Sequence, residues 1–248
     1  MSVLRIIYRK LHKVFGPQHW WPGDTPFEVA VGAILTQNTN WGNVEKAVHN
    51  LKAAHALSAK KIYEMPVNTL AAFIRPAGYF NIKAKRLKSF IDFLMVNYRG
   101  SMTRMSKEEM HALRERLLCV NGIGPETADS ILLYALGKPV FVIDAYTKRV
   151  LSRHGIMDHD EPYEVFQELF HSSLEKDVKL FNEYHALFVK VGKLYCRPEA
   201  RCEGCPLQPL FEKVCPGRSL QPAQPPGRAR QELPVQRRTS PLNRGVIR

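Results

Sequence analysis

The sequence predicts an all-α fold. Apolar residues recur at three- and four-residue spacing through most of the chain. Polar caps, glycines and prolines divide those stretches into separate helices. One strand-like run, Val140, Phe141, Val142 and Ile143, is too short to build a sheet.

Residues 1–16 form the first predicted helix, with Leu4, Ile7, Tyr8, Leu11 and Phe15 at helical spacing. The stretch is basic and free of acids, so an organelle presequence is a second reading of it. Residues 17–26, PQHWWPGDTP, are a turn-rich connector that holds Trp20 and Trp21. Helical spacing resumes at Phe27, and a polar interruption at residues 36–40 predicts two helices joined by a short loop. Residues 59–116 read as three more helical segments, with a sharp turn at residues 75–80 and an amphipathic stretch through Leu87, Phe90, Phe93 and Leu94. Lys83, Lys85, Arg86 and Lys88 fit either a solvated basic face or the lining of a polyanion site. Ser106 and Glu109 have capping-box spacing ahead of a helix that runs to residue 119. Residues 162–195 add two helices.

A chain of 248 residues with 45% hydrophobic content holds one large or two small domains with a real core. No run approaches the roughly 18 apolar residues of a membrane span, and no cleavable secretion signal is visible. The formal net charge of +13 points to a polyanionic partner, and charge alone fits RNA, DNA or acidic lipid. The residues after Cys215 carry seven arginines against one acid and too little apolar area to order themselves. They read as a disordered basic tail, either attracting a polyanion or merely solvated.

Four of the five cysteines cluster as Cys196-x5-Cys202-x2-Cys205-x9-Cys215. Without a secretion signal, such clustering favours a metal site over disulfides. Four thiolates suit zinc or a [4Fe–4S] cluster, and composition alone leans to zinc. Cys119 stands apart and reads as a small buried hydrophobe.

The most informative stretch runs from Leu117 to Arg149. An apolar helix end breaks at Asn121-Gly122-Ile123-Gly124, and a second helix begins with Pro125, which together read as a helix-hairpin-helix. Glycine-rich backbone at a helix start can seat an anion. The apolar run 140–143 then delivers Asp144 to the head of another helix, where an ordinary N-cap is the plain reading.

Together, VNGIGPETAD and the VIDAYTKRV that places Asp144 eighteen positions after Glu126 resemble the helix-hairpin-helix DNA glycosylases of the endonuclease III superfamily. The resemblance covers nearly everything up to Cys215. It implies a two-lobed architecture: a six-helix bundle at residues 24–136, and a second lobe pairing residues 1–23 with 137–215, followed by the tail at 216–248. It also implies that Asp144 is the catalytic aspartate and that Gly122, Gly124 and Thr127 lie against the DNA backbone. Bifunctional members carry a lysine where this chain has Glu126, and a carboxylate cannot form the imine that strand cleavage requires. A monofunctional enzyme with little or no abasic-site lyase activity is expected, and a first-turn acid serving only the helix dipole is the plain reading of Glu126.

By the same resemblance, Gln37 enters the duplex to fill the hole left by an extruded base; its plain reading is a polar residue at a helix end. The pattern best matches the 3-methyladenine glycosylase III branch, in which aromatics sandwich an alkylated base. Trp20, Trp41 and, less directly, Trp21 are the positions carried over, with core packing as the other reading of each. The family also favours a [4Fe–4S] cluster over zinc. This chain has one residue fewer in the first cysteine gap and four more in the last than the family pattern, which leaves Cys215 the least secure ligand. The expected partner is duplex DNA with a damaged base, bound by a cytoplasmic, nucleoid-associated monomer. Pyrimidine-lesion, mismatch thymine or uracil, and oxidised-guanine-associated adenine glycosylases are the alternatives within the family. A noncatalytic DNA-structure binder is the alternative outside it.

Overall fold

The computed structural model describes residues 2–20 and 23–210, and within these every regular element is helical. Helix α1 (Val3–Phe15) starts at Ser2, whose side chain accepts from the Arg5 N–H, and buries Leu4, Ile7 and Leu11 along one stripe. The polar interruption separates α2 (Pro26–Leu35) from α3 (Trp41–Ala53), as predicted. Thr25 caps the first with Pro26 in its opening turn, and Asn40 caps the second.

The next stretch is more broken than the three predicted segments. It holds α4 (Ala59–Glu64), α5 (Val67–Phe73), a 3-10 turn (Arg75–Ala77), α6 (Phe80–Tyr98), α7 (Met102–Met105) and α8 (Met110–Leu118). Pro66 accounts for the first extra break, because the residue before a proline is pushed out of helical geometry and Met65 is extended. Left-handed Arg99 and Gly100 end α6. The predicted capping box at Ser106 is not formed: Glu109 is itself the N-cap of α8, accepting from the Ala112 N–H at 2.9 Å, while Ser106 closes α7.

The basic run in α6 is largely internal. Lys83 is buried and donates to the carbonyls of Leu35 and Ala77 at 2.9 and 2.7 Å, completing the end of α2. Lys88 does the same for α4 through the carbonyls of Ile62, Tyr63 and Met65. Lys85 alone of the four is exposed.

Helix α9 (Pro125–Ser130) runs on into a π-helical turn (Ile131–Ala135), then come α10 (Ala145–Arg153), α11 (Tyr163–Ser173) and α12 (Val178–Leu194). Helix contacts fall into two sets. Helices α2 to α7 pack around α2 and α6 and α8 packs on α9, whereas α1, α10 and α11 gather on α12, and the π turn touches both α2 and α12. No helix among the described residues is long and apolar enough to cross a membrane.

Between the π turn and α10, residues 140–143 are buried and extended yet belong to no sheet. Side chains of α11 replace the missing strand. His171 Nε2 accepts from Phe141 N–H at 3.0 Å, Gln167 donates to the Phe141 carbonyl at 2.8 Å, and the Tyr163 hydroxyl accepts from Ile143 N–H at 3.2 Å. Buried peptide groups need such partners, so this segment holds its course without a ladder.

Gln167 also donates to Asp129 of α9 at 2.7 Å, and Asp129 is fully buried against Arg114 of α8 through two bonds of 2.7 and 3.1 Å. Removing one partner of a buried ion pair strands the other and costs about 3–5 kcal/mol. Asp129→Ala should therefore lower unfolding free energy by about that amount in urea titrations. A loss below about 1 kcal/mol would mean that the pair is not holding α9 in place.

Candidate active site

The hairpin turn is built around Gly122, whose φ of +86° excludes most residues with a side chain. Arg86 lies across it: a Cβ at residue 122 would meet the Arg86 Cγ at 2.1 Å. The guanidinium continues to the Gln37 Oε1 at 2.5 Å, and Gln37 Nε2 donates to the Gly122 carbonyl at 3.0 Å and to the Thr127 hydroxyl at 2.9 Å. Gln37, in the loop between α2 and α3, thus has its acceptor and both donors engaged by α6 and the hairpin. Thr127, expected at the DNA backbone, is buried, and its hydroxyl faces Gln37 instead of solvent.

Gly124 differs from Gly122. It is exposed, its φ of −93° suits any residue, and a Cβ there would meet nothing within 4 Å. Nothing in the chain itself requires a glycine at this position.

Asp144 is the N-cap of α10, its Oδ1 accepting from the Thr147 N–H at 2.7 Å. Its other oxygen faces the Nε2 of His185 in α12 at 3.4 Å, and both side chains are nearly buried. Helices α10 and α12 approach this closely because Gly192 leaves room for the Tyr146 ring, where a Cβ would lie 2.4 Å from the ring edge. His185 is seven residues before Gly192, hence on the same face of α12. The far nitrogen of His185, Nδ1, is hydrogen-bonded to the Tyr134 hydroxyl of the π turn.

Glu126, in the first turn of α9, is within electrostatic reach of Asp144 and His185. Its side chain reaches solvent, yet the dense protein around it pushes its carboxyl up to about 7, the Asp144 charge adds to the rise, and His185 opposes it. Asp144 moves the other way. Burial would raise its carboxyl, but His185 and the Thr147 N–H outweigh burial and hold it below the ordinary aspartate range. Two neighbouring carboxyls are thereby driven apart, one ionised and one near neutrality, the pattern of groups with different tasks. His185 and Tyr134 were not singled out from the sequence. The available signal was a lone histidine in an apolar helix, which commonly means no more than a satisfied core residue.

The remaining predicted residues lie elsewhere. Trp41 opens α3, half-buried against Gly32 of α2, with its ring 3.1 Å from where a Cβ would sit. Trp20 is half-buried with Lys193 of α12 at 6.0 Å from its ring centre. Trp21 lies outside the described residues, as do Cys215 and the tail at 216–248.

Cys196 and Cys205 are buried and Cys202 is half-buried, all three as free thiols. Burial pushes the Cys205 thiol up and Cys196 and Cys202 push it further, so the three sulfurs are near enough to act on one another. Arg149 donates to the Cys196 carbonyl at 2.6 Å and Arg153 to its sulfur at 3.5 Å, which places two cations beside the thiols. Among the described residues no three His, Cys, Asp or Glu side chains surround a single-ion position. Cys119 is exposed, contrary to the expected burial, because it closes α8 on the outer side of the hairpin entry.

A glycine-bend hairpin with a capped, ionised aspartate beside it defines a helix-hairpin-helix protein with an acid–base site. Residues 31–176 match the HhH-GPD superfamily of base excision DNA repair proteins. A candidate DNA repair glycosylase of Methanocaldococcus jannaschii is 48% identical over 204 residues, which make up 82% of this chain and 92% of that one. The crystal structure of H. pylori 3-methyladenine DNA glycosylase bound to 1,N6-ethenoadenine matches with a TM-score of 0.66 at 30% identity, covering 78% of this chain and 98% of the other. An endonuclease III–DNA complex shares the fold, with a TM-score of 0.72 at 20% identity over 87% and 96% of the two chains. The chain belongs to the HhH-GPD superfamily and is a base excision repair DNA glycosylase.

The two hairpin glycines should separate in stability measurements. Gly122→Ala forces a residue with a side chain to a positive φ and displaces Arg86, at a cost of about 1–3 kcal/mol. Gly124→Ala should unfold at the wild-type temperature to within about 0.5 kcal/mol of stability. Equal losses at both positions would contradict the clasp described for Gly122.

Proposed function

We propose that this glycosylase is monofunctional and hydrolyses the N-glycosidic bond of N-alkylated purines, such as 3-methyladenine, in duplex DNA. The observation that carries the reading is the juxtaposition of an ionised Asp144 with Glu126, a carboxyl where strand-cleaving relatives need an amine. The similarity to the H. pylori enzyme supports an alkylated purine as the base.

The duplex lies across the cleft between the lobe of residues 24–136 and the lobe formed by residues 1–23 with 137–215. The backbone amides of Gly122 and Gly124 meet phosphates, and the open space at Gly124 supports a close approach of that kind. Extruding the nucleotide costs about a few kcal/mol, least where pairing is already poor. Gln37 then exchanges its bonds to Gly122, Thr127 and Arg86 for the edge of the orphaned base, so insertion loosens the clasp on the hairpin. Trp20 and Trp41, with Trp21, supply faces for the extruded base.

At the sugar, the Asp144 carboxylate stabilises positive charge developing at C1′ and accepts a proton from the attacking water. An N-alkylated purine is cationic and departs without a strong general acid. The products are a free base and an abasic site, and the enzyme acts as a monomer on one nucleotide at a time.

Cys196, Cys202, Cys205 and Cys215 hold a [4Fe–4S] cluster. Cys196 and Cys202 both lie within electrostatic reach of Cys205, and four cysteine thiolates are the donor set such a cluster would take. The cluster would be structural, held beside Arg149 and Arg153 of α10, which bond to the Cys196 carbonyl and sulfur directly.

Wild-type protein should release 3-methyladenine from methylated duplex DNA, and Asp144→Asn should lose about 100-fold or more in single-turnover rate while still binding the duplex. Borohydride should trap little covalent complex. Absence of release from both proteins with retained binding would favour a noncatalytic DNA binder, and efficient trapping would refute the monofunctional assignment. Elemental analysis of aerobically handled and anaerobically purified protein should find iron in place of zinc, lost together with visible absorbance in Cys205→Ser. Stoichiometric zinc would overturn the cluster.

A further inference from the structure

His185 is buried to 6% exposure, and its ring is fixed on two sides: the Tyr134 hydroxyl holds Nδ1, and the Phe141 ring stands edge-on to it at 6.5 Å. Its remaining nitrogen, Nε2, has no hydrogen-bond partner of good geometry and faces Asp144 Oδ2 at 3.4 Å. A hydroxyl donating to Nδ1 leaves the imidazole proton on Nε2, toward the carboxylate. The opposite tautomer would set a lone pair against the Asp144 charge.

We infer that His185, oriented by Tyr134, is a positioning residue that keeps the nearly buried Asp144 ionised and in place for catalysis. This rests on the reading of Asp144 as the catalytic carboxylate. The titratable groups around the pair come from three elements: Glu126 of α9 and Tyr134 of the π turn each interact with Asp144, and His185 projects from α12. Glu126 is a second acid beside Asp144 and gives it no support in staying charged. Within α10 only Thr147 assists, through its N–H and its side chain. His185 is therefore the one cationic or N–H-bearing side chain that the described structure sets against this carboxylate.

The test is the pH dependence of single-turnover base release from methylated duplex DNA by the full chain. Removal of the imidazole removes the influence that lowers Asp144, so Asp144 takes up a proton at higher pH. His185→Phe should shift the acid limb of the profile up by about one pH unit, a roughly tenfold loss at pH values below the limb. His185→Gln retains an N–H donor and should recover most of that shift, and Tyr134→Phe should shift the limb the same way by less. Affinity for a duplex with a stable abasic-site analogue should change less than about threefold in all three, since neither residue is a DNA ligand in this account. A purely structural role would lower amplitude or thermal stability and leave the limb unmoved, and that result would overturn the inference. Should His185→Phe fail to fold, His185→Gln and Tyr134→Phe carry the test by the same criterion. Absence of release by wild type would overturn the alkylated-purine reading together with this inference. Wild-type release with unshifted limbs in all variants would overturn this inference alone.

Discussion

The fully buried carboxylate of Asp129 joins the hairpin to the segment that ends in Asp144. On one side it accepts two bonds from Arg114, fixing α9 to α8, and on the other it accepts from Gln167, whose same amide nitrogen also holds the Phe141 carbonyl. A buried charge is tolerated only where its hydrogen-bonding capacity is met, so the three helices and the extended run cannot shift independently. Glu126 and Asp144 lie eighteen residues apart in the chain, yet this network sets their separation. The hairpin turn and Asp144 inherit a common reference frame from it.

The charge of the chain is partly spent inside the fold. Lys83 and Lys88 donate to carbonyls at helix ends, where acceptors have no partner within the helix, and Lys138, Lys148, Arg149 and Arg153 donate to carbonyls of the connecting segments. The formal excess of +13 therefore overstates what is free to meet a polyanion. Arg86 shows the same economy, closing the turn at Gly122 while holding the amide of Gln37. Recognition of DNA by such a protein depends on the shape of the hairpin as much as on a field of lysines.

Local signals were readable and distant ones were not. The break between α2 and α3, the Pro125 start of α9 and the cap at Asp144 each follow from residues within one turn of the event, and each lies where the sequence puts it. The short helices α4, α5 and α7 merge with their neighbours in the sequence pattern because four to seven residues hold too few periods to register. Glu109 takes the cap predicted for Ser106 because α8 starts three residues later than the capping-box spacing suggests. His185 and Tyr134 could not be read as site residues, since nothing near either in sequence marks a neighbour 41 residues from His185 as its charge partner. Likewise the burial of Lys83 follows from a carbonyl 48 residues away.

Electrostatics also accounts for how one site can dispense with an amine. On the proposed reading, a lysine at residue 126 would stand as a cation next to Asp144 and hold it ionised directly. Glutamate there reverses that influence: the Asp144 charge raises Glu126, whose own side chain is solvent-exposed, and two neighbouring carboxyls resist ionising together. Help comes from the opposite side, through His185 and the Thr147 N–H, while Glu126 gives way and titrates near neutrality. A site so arranged holds one fixed negative charge and one adjustable one, and it lowers its energy most when a positive charge develops between them. On the proposed reading, the charge of an alkylated base and that of the sugar at the moment of bond breaking are both of that sign, so the residue that would remove strand cleavage from the chemistry would also favour a leaving group that needs no acid.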